Sequence, residues 1–191
     1  MVSQAREFKM SRMLAWVDTE TTGLDTTTDH LLEVAVVFAK SPSGEQLNTY
    51  RAVVHYDADR VREMREASDP VVQKMHDRTG LWDRLSTSEA TALTQVDRDL
   101  ATLAAQTRGD GERLVLAGNS VHYDFYMMAR CLPEFSKQLD HHILDVSVLA
   151  LVAKEKFGIP LMPKTKNHSA YEDIIESMEE YDYLTARLTS R

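Results

Sequence analysis

Asp18 and Glu20 stand one residue apart in Trp16-Val17-Asp18-Thr19-Glu20-Thr21-Thr22-Gly23-Leu24, directly after an apolar run. Alternate residues of a strand point to one face, so the two carboxylates share a face at the strand end. Such a pair repels unless a cation lies between the groups, and hard oxygen ligands suit Mg²⁺ or Mn²⁺. Two solvated acids at a strand–loop junction are the plain alternative. Asp124 follows in Gly118-Asn119-Ser120-Val121-His122-Tyr123-Asp124, where an acid can equally face a helix macrodipole. His168 opens His168-Ser169-Ala170-Tyr171-Glu172-Asp173. A histidine there can take a proton from water, or simply be an exposed residue at a helix start. Glu172 and Asp173 compete as the acid of this segment. Ser169-x-x-Glu172 matches a capping box, which would occupy Glu172 structurally. Asp173 is therefore the expected metal ligand.

These residues need elements to position them. Met13–Val17 reads as a strand buried on both faces, Leu31–Ala39 as a second and Leu47–His55 as a third, with a Ser41-Pro42-Ser43-Gly44 turn between the last two. The chain therefore opens as an antiparallel meander. Residues 57–78 predict a broken helix, with Pro70 opening its second piece. Ser88–Gln106 is the longest helical pattern, capped by Ser88 or Thr87, with Leu93, Val96, Leu100 and Leu103 as its stripe. Leu114–Ala117 predicts a fourth strand, Tyr123–Cys131 a helix, Ile143–Asp145 a short fifth strand and Val146–Phe157 a helix. A last helix runs over Ser169–Leu188. A meander followed by alternating strands and helices predicts a mixed five-stranded sheet with helices on both faces, a three-layer α/β/α fold. Sites in such sheets form at the carboxyl ends of strands, where these acids fall.

The 191 residues suit one domain over 12–191, preceded by a disordered extension over 1–11. No apolar run reaches the ~18 residues that span a membrane. The polar N-terminus lacks the apolar core of a signal peptide. The single cysteine, Cys131, reads as a small buried helix residue and forms no intrachain disulfide. Together these features predict a cytoplasmic protein without membrane contact. A net charge of −8 argues against a protein that grips long nucleic acid mainly through phosphates, and favours an enzyme with a short substrate held by metals.

D-x-E-x-T-G-L, then G-N-S-x-x-x-D, then H-x-A-x-x-D, in that order, resembles the DEDDh exonuclease superfamily, whose fold is ribonuclease H-like. Leu144-Asp145-Val146-Ser147, Asp173-Ile174-Ile175-Glu176-Ser177 and Met75-His76-x-x-Thr79-Gly80-Leu81 are similar to oligoribonuclease, and the likeness runs from about Met13 to Leu188. The resemblance implies a homodimeric 3′→5′ exoribonuclease that cuts short oligoribonucleotides, down to dinucleotides, into nucleoside 5′-monophosphates. It implies two divalent ions, Mg²⁺ or Mn²⁺. Asp18 touches both, Glu20 and Asp173 complete one, Asp124 supports the other, and His168 is the general base. It sets Leu24 against the terminal bases, with His76, Asn119, Ser120 and Ser147 near the sugar or phosphates. Lys164 and Lys166, just before His168, are either solvated, as such lysines more often are, or meet the phosphates of a longer strand.

The sequence departs from that pattern. His141 and His142 stand where the family carries a Tyr-Arg pair for substrate and phosphate. Val71 stands where some members carry a base-stacking tryptophan, and Trp82 does not fit that role. Two rivals follow: a general DEDDh exonuclease acting on longer single strands, and a non-catalytic nucleotide- or protein-binding module on the same fold.

Overall fold

The computed structural model describes residues 12–163 and 169–190. The extension expected over 1–11, and Lys164, Lys166 and His168, lie outside the described residues. Five strands form one sheet in the order β3-β2-β1-β4-β5. β1 (Met13–Thr21) pairs antiparallel with β2 (Leu31–Ala39), which pairs antiparallel with β3 (Gln46–Val53). β4 (Leu114–Gly118) and β5 (Leu139–Asp145) continue the sheet in parallel on the other side of β1. This is the ribonuclease H-like α/β architecture, with the meander first and the parallel strands after it.

Period-two alternation explains the layers. Ala15 and Val17 of β1 enter one core with Val34, Val36 and Phe38 of β2. α4 (Leu93–Thr107), α5 (His122–Cys131) and α6 (Pro133–Ser136) cover that face. Leu14 and Trp16 point the other way, into a core closed by α7 (Val146–Phe157) and α8 (Ala170–Thr189). Fully buried side chains of this size contribute about 1.5–3 kcal/mol each. A third cluster joins α1 (Ala58–Ala67) and α3 (Leu81–Arg84) to Leu32, and α2 (Pro70–Thr79) meets it through His76, which packs edge-on against Trp82. Among the described residues no helix is long and apolar enough to cross a membrane. Cys131 is half-buried on α5.

Several boundaries differ from the sequence reading, and β5 begins at Leu139, four residues before the expected Ile143. β1 runs on through its acids to Thr21, because β2 pairs with it as far as Leu31. α4 starts at Leu93, not Ser88, and Ala92 precedes it without a side-chain cap. The Thr91 backbone is already committed: its N–H donates to the Val53 carbonyl at 2.8 Å and its carbonyl accepts from His55 at 2.9 Å. Ser169 does precede α8, but its side chain makes no cap hydrogen bond, so the capping box expected with Glu172 lacks its serine half.

Candidate active site

The alternation that sends Leu14 and Trp16 toward α8 carries on to Asp18 and Glu20. Both acids thus face the helix whose first turn bears Glu172 and Asp173. Carboxylate oxygens of Asp18, Glu20 and Asp173 lie within 4.8 Å of one another. Glu172, one residue earlier, is exposed. Ala35 sits opposite Asp18 on β2, and its small side chain leaves that face open.

Asp124 comes from α5, on the other face. Thr19, between the two β1 acids, donates from its hydroxyl to the Asp124 carboxylate at 2.6 Å. Asp18, Thr19, Asp124, Leu24, Asn119 and Ser120 line one crevice of about 120 Å³. It exists because β1 and β4 part company beyond Trp16 and Ala117, their last paired residues. Gly118 ends β4 so close to β1 that a Cβ there would lie 2.7 Å from the Val17 carbonyl oxygen.

Burial, then the fields of Asp124, Glu20 and Asp173, push the Asp18 carboxyl well above the usual carboxylate range. Glu20 is pushed up to about 8, first by burial and then by Asp173, Glu33 and Asp124, with Arg84 opposing. Asp124 is pushed up to about 7 by burial, against the lowering effect of the Thr19 hydrogen bond. Acids buried together are costly as anions unless a cation joins them. An all-oxygen donor set of this kind fits a hard divalent ion such as Mg²⁺ or Mn²⁺.

The loop after β1 is held tightly. The Thr22 hydroxyl donates to Asp29 at 2.7 Å and accepts from the His30 N–H at 2.9 Å. Arg130 clamps the Thr26 carbonyl at 2.7 Å and also meets the Asp29 carbonyl. Leu24 stands on this loop, 75 % exposed at the crevice mouth.

Asn119, Ser120 and Ser147 form the crevice's rear support. Asn119 donates to Ser177 at 2.9 Å and Glu180 at 3.0 Å, and accepts from the Ser147 hydroxyl at 3.0 Å. Ser120 has φ +50°, a left-handed conformation that costs a non-glycine residue roughly 1–2 kcal/mol. Its N–H donates to the Ser147 hydroxyl at 2.8 Å and to Asp145 at 3.2 Å, which fixes that conformation. Ser147 therefore lies behind Ser120, outside the residues that line the crevice.

His76 is placed differently from the sequence expectation. Its ring is wholly buried, edge-on to Trp82, and Nε2–H donates to the Thr21 carbonyl at 2.9 Å. Its Nδ1 is 3.9 Å from Glu20. The ring stands behind Glu20, not at the open crevice, because α2 packs its histidine against Trp82 of the third cluster. Trp82 is itself a core residue, and Val71 is 74 % exposed.

Sequence reasoning passed over Glu33 and Arg84. Glu33 lies directly across from Glu20, buried, and Arg84 of α3 bridges it at 3.1 Å. A cleft of about 240 Å³ beside this pair also includes Arg51. The Arg51 guanidinium stacks over Tyr171 at 4.6 Å. One signal was legible: Glu33 is the sole acid in an otherwise apolar strand.

The exonuclease family model matches residues 15–181. The mitochondrial oligoribonuclease of Saccharomyces cerevisiae is 31% identical over 185 residues, covering 92% of this chain and 67% of that protein. Oligoribonuclease from Neisseria meningitidis serogroup B is 31% identical over 170 residues, covering 87% of each. The chain belongs to the oligoribonuclease family of exonucleases. This oligoribonuclease-family chain is accordingly a nuclease, a phosphodiester hydrolase of a metal-using family. Its fold is similar to that of Escherichia coli exonuclease I solved with a 5cy-dT13 oligonucleotide, at a TM-score of 0.66 and 14% identity. That match covers 92% of this chain and 41% of exonuclease I, and it bears on fold alone.

Proposed function

We propose that this protein is a 3′→5′ exoribonuclease that degrades short oligoribonucleotides, down to dinucleotides, to nucleoside 5′-monophosphates. The observation that carries the reading is the convergence of buried Glu20 with half-buried Asp18 and Asp173 at the strand end, with Asp124 lining the same crevice as Asp18. The family supplies the rest of the support. Asp18, Glu20, Asp173 and Asp124 would hold two divalent ions, Mg²⁺ or Mn²⁺. Such ions stabilise charge on the scissile phosphate and make a water easier to deprotonate.

The chain's own groups do the remainder. His168, just before α8, takes a proton from the attacking water onto a ring nitrogen. Leu24 packs against the terminal base. Ser120 and Asn119 set the crevice wall beside the sugar and phosphate, held by Ser147. His76 keeps the Glu20 end of β1 in place.

A homodimer accompanies this reading. β5 is an edge strand, and Ile143, Val148, Leu151 and Val152 are exposed on it and on α7. A patch of this kind marks a protein–protein surface. A cytoplasmic setting fits the cysteine usage, although the yeast relative's name places that protein in the mitochondrion.

A broader exonuclease acting on longer strands is the second reading. Val71, at the position of the stacking tryptophan, offers no aromatic ring to end a short substrate. The binding-module reading is disfavoured because all four acids of the pattern are present.

Site-directed variants test the catalytic assignment on a short 5′-labelled RNA. His168→Ala should lose roughly 10²–10⁴ in rate, the range for a general base. Asp173→Asn should be inactive while Glu172→Gln stays mostly active. Near-normal turnover of His168→Ala or of Asp173→Asn would overturn those roles.

A further inference from the structure

Asp140, His141 and His142 form a second cluster of potential ligands, on the edge strand and apart from the carboxylate crevice. β4 and β5 pair Leu114 with Leu139 and then Leu116 with Ile143. Val115 of β4 thus faces three residues of β5, namely Asp140, His141 and His142. A bulge of this sort re-aims side chains that a regular strand would send to opposite faces. Both imidazoles now point to solvent, with side chains 83% and 53% exposed, while the Asp140 side chain is 10% exposed.

The ligand atoms converge. His141 Nδ1 is 3.2 Å from Asp140 Oδ1, and His142 Nδ1 is 2.6 Å from the same oxygen. All three groups offer atoms within 4.8 Å of one another. Ligands about 2.0–2.1 Å from a tetrahedral ion stand about 3.3 Å apart, which the His141 pair matches at 3.2 Å, while His142, at 2.6 Å, would move outward to bind. The protein's own hydrogen bonds do not satisfy the cluster jointly. His142 Nδ1 cannot donate to Asp140 and also accept from Arg12, whose guanidinium is 3.2 Å away. An ion that displaced Arg12 would engage all three acceptors at once.

We propose that Asp140, His141 and His142 bind one borderline transition-metal ion of the Zn²⁺ or Ni²⁺ class. Two imidazoles and one carboxylate select such ions over Mg²⁺, whereas the all-oxygen crevice prefers hard cations. The two sites are chemically orthogonal, and this one does not depend on the catalytic reading. The fourth position faces solvent and takes water.

Calorimetric titration of the metal-free full chain with Ni²⁺, in excess Mg²⁺, tests the assignment. One tight equivalent is expected. It should persist in Asp173→Asn, which disables the crevice. It should weaken in His141→Ala and in His142→Ala by more than the roughly 10–100-fold that even an outer-shell partner is worth. Both histidines are exposed, so circular dichroism should show these variants folded as the parent is. No tight equivalent, unchanged affinity in both histidine variants, or loss of the equivalent in Asp173→Asn overturns the proposal.

Discussion

Glu20 and Asp124 illustrate at the residue scale what the crevice asks of the fold. Their carboxyls are raised from 4.5 to about 8 and from 3.8 to about 7. A folded acid with a raised pKa holds its proton over a range where the unfolded chain has lost it. The folded state then binds more protons, so stability falls as pH rises. For these two groups the loss begins near the unfolded values and is complete above about 8. Metal-free protein should therefore melt at lower temperature at about pH 8.5 than at about pH 5.5, and Mg²⁺ should raise the melting temperature more at the alkaline end. Thermal unfolding with and without the ion checks this, and a metal-free melting temperature that rises across the range contradicts it. The four acids were legible through the ordered set of motifs that resembles the family, since each acid's place at a strand or helix end was ambiguous by itself. Glu33 was not singled out, because one acid inside an apolar strand does not reveal which acid faces it across the sheet.

At the element scale, β2, α7 and α8 lie almost where hydrophobic periodicity put them. α4 does not, since tertiary bridging of the Thr91 backbone overrides a plausible Ser or Thr cap. The bulge in β5 was equally hidden, because it reflects register against β4 and not the pattern of β5 itself. In the α2–α3 unit His76 was expected near the site in another role, and Arg84 was not expected there at all. His76 holds the Thr21 carbonyl, and Arg84 answers the buried Glu33. Arg84→Ala leaves that acid without its cation. Because Arg84 is 40% exposed, the expected loss is about 1–3 kcal/mol, below that of a fully buried pair. Denaturant unfolding should show that loss in metal-free protein and a smaller one with Mg²⁺ present, with partial recovery in Arg84→Lys. A loss under about 0.5 kcal/mol, within the range of an ordinary surface change, would remove Arg84 from the account.

The whole molecule joins an acidic surface to a crevice of modest size. That pairing suits a short substrate positioned by ions better than a long strand gripped by phosphates. Oligomeric state belongs to this scale. The groove of about 610 Å³ lined by Ile143, Val148 and Val152 is the surface expected to meet a second copy. Val148→Asp with Val152→Asp should convert a dimer to a monomer in sedimentation equilibrium, and an unchanged mass would place the interface elsewhere. Substrate length decides between the two nuclease readings, since His141, His142 and Val71 replace the contacts the family resemblance led one to expect.

A time course on 5′-labelled RNA from two to about twenty nucleotides, with Mg²⁺ and then Mn²⁺ and with Asp18→Asn alongside, tests the central claim most directly. The account predicts rapid, metal-dependent cleavage of the dinucleotide, a steep decline on longer strands and no turnover by Asp18→Asn. Equal rates at every length would make this a general 3′→5′ exonuclease, and absence of metal-dependent cleavage at any length would contradict the account outright.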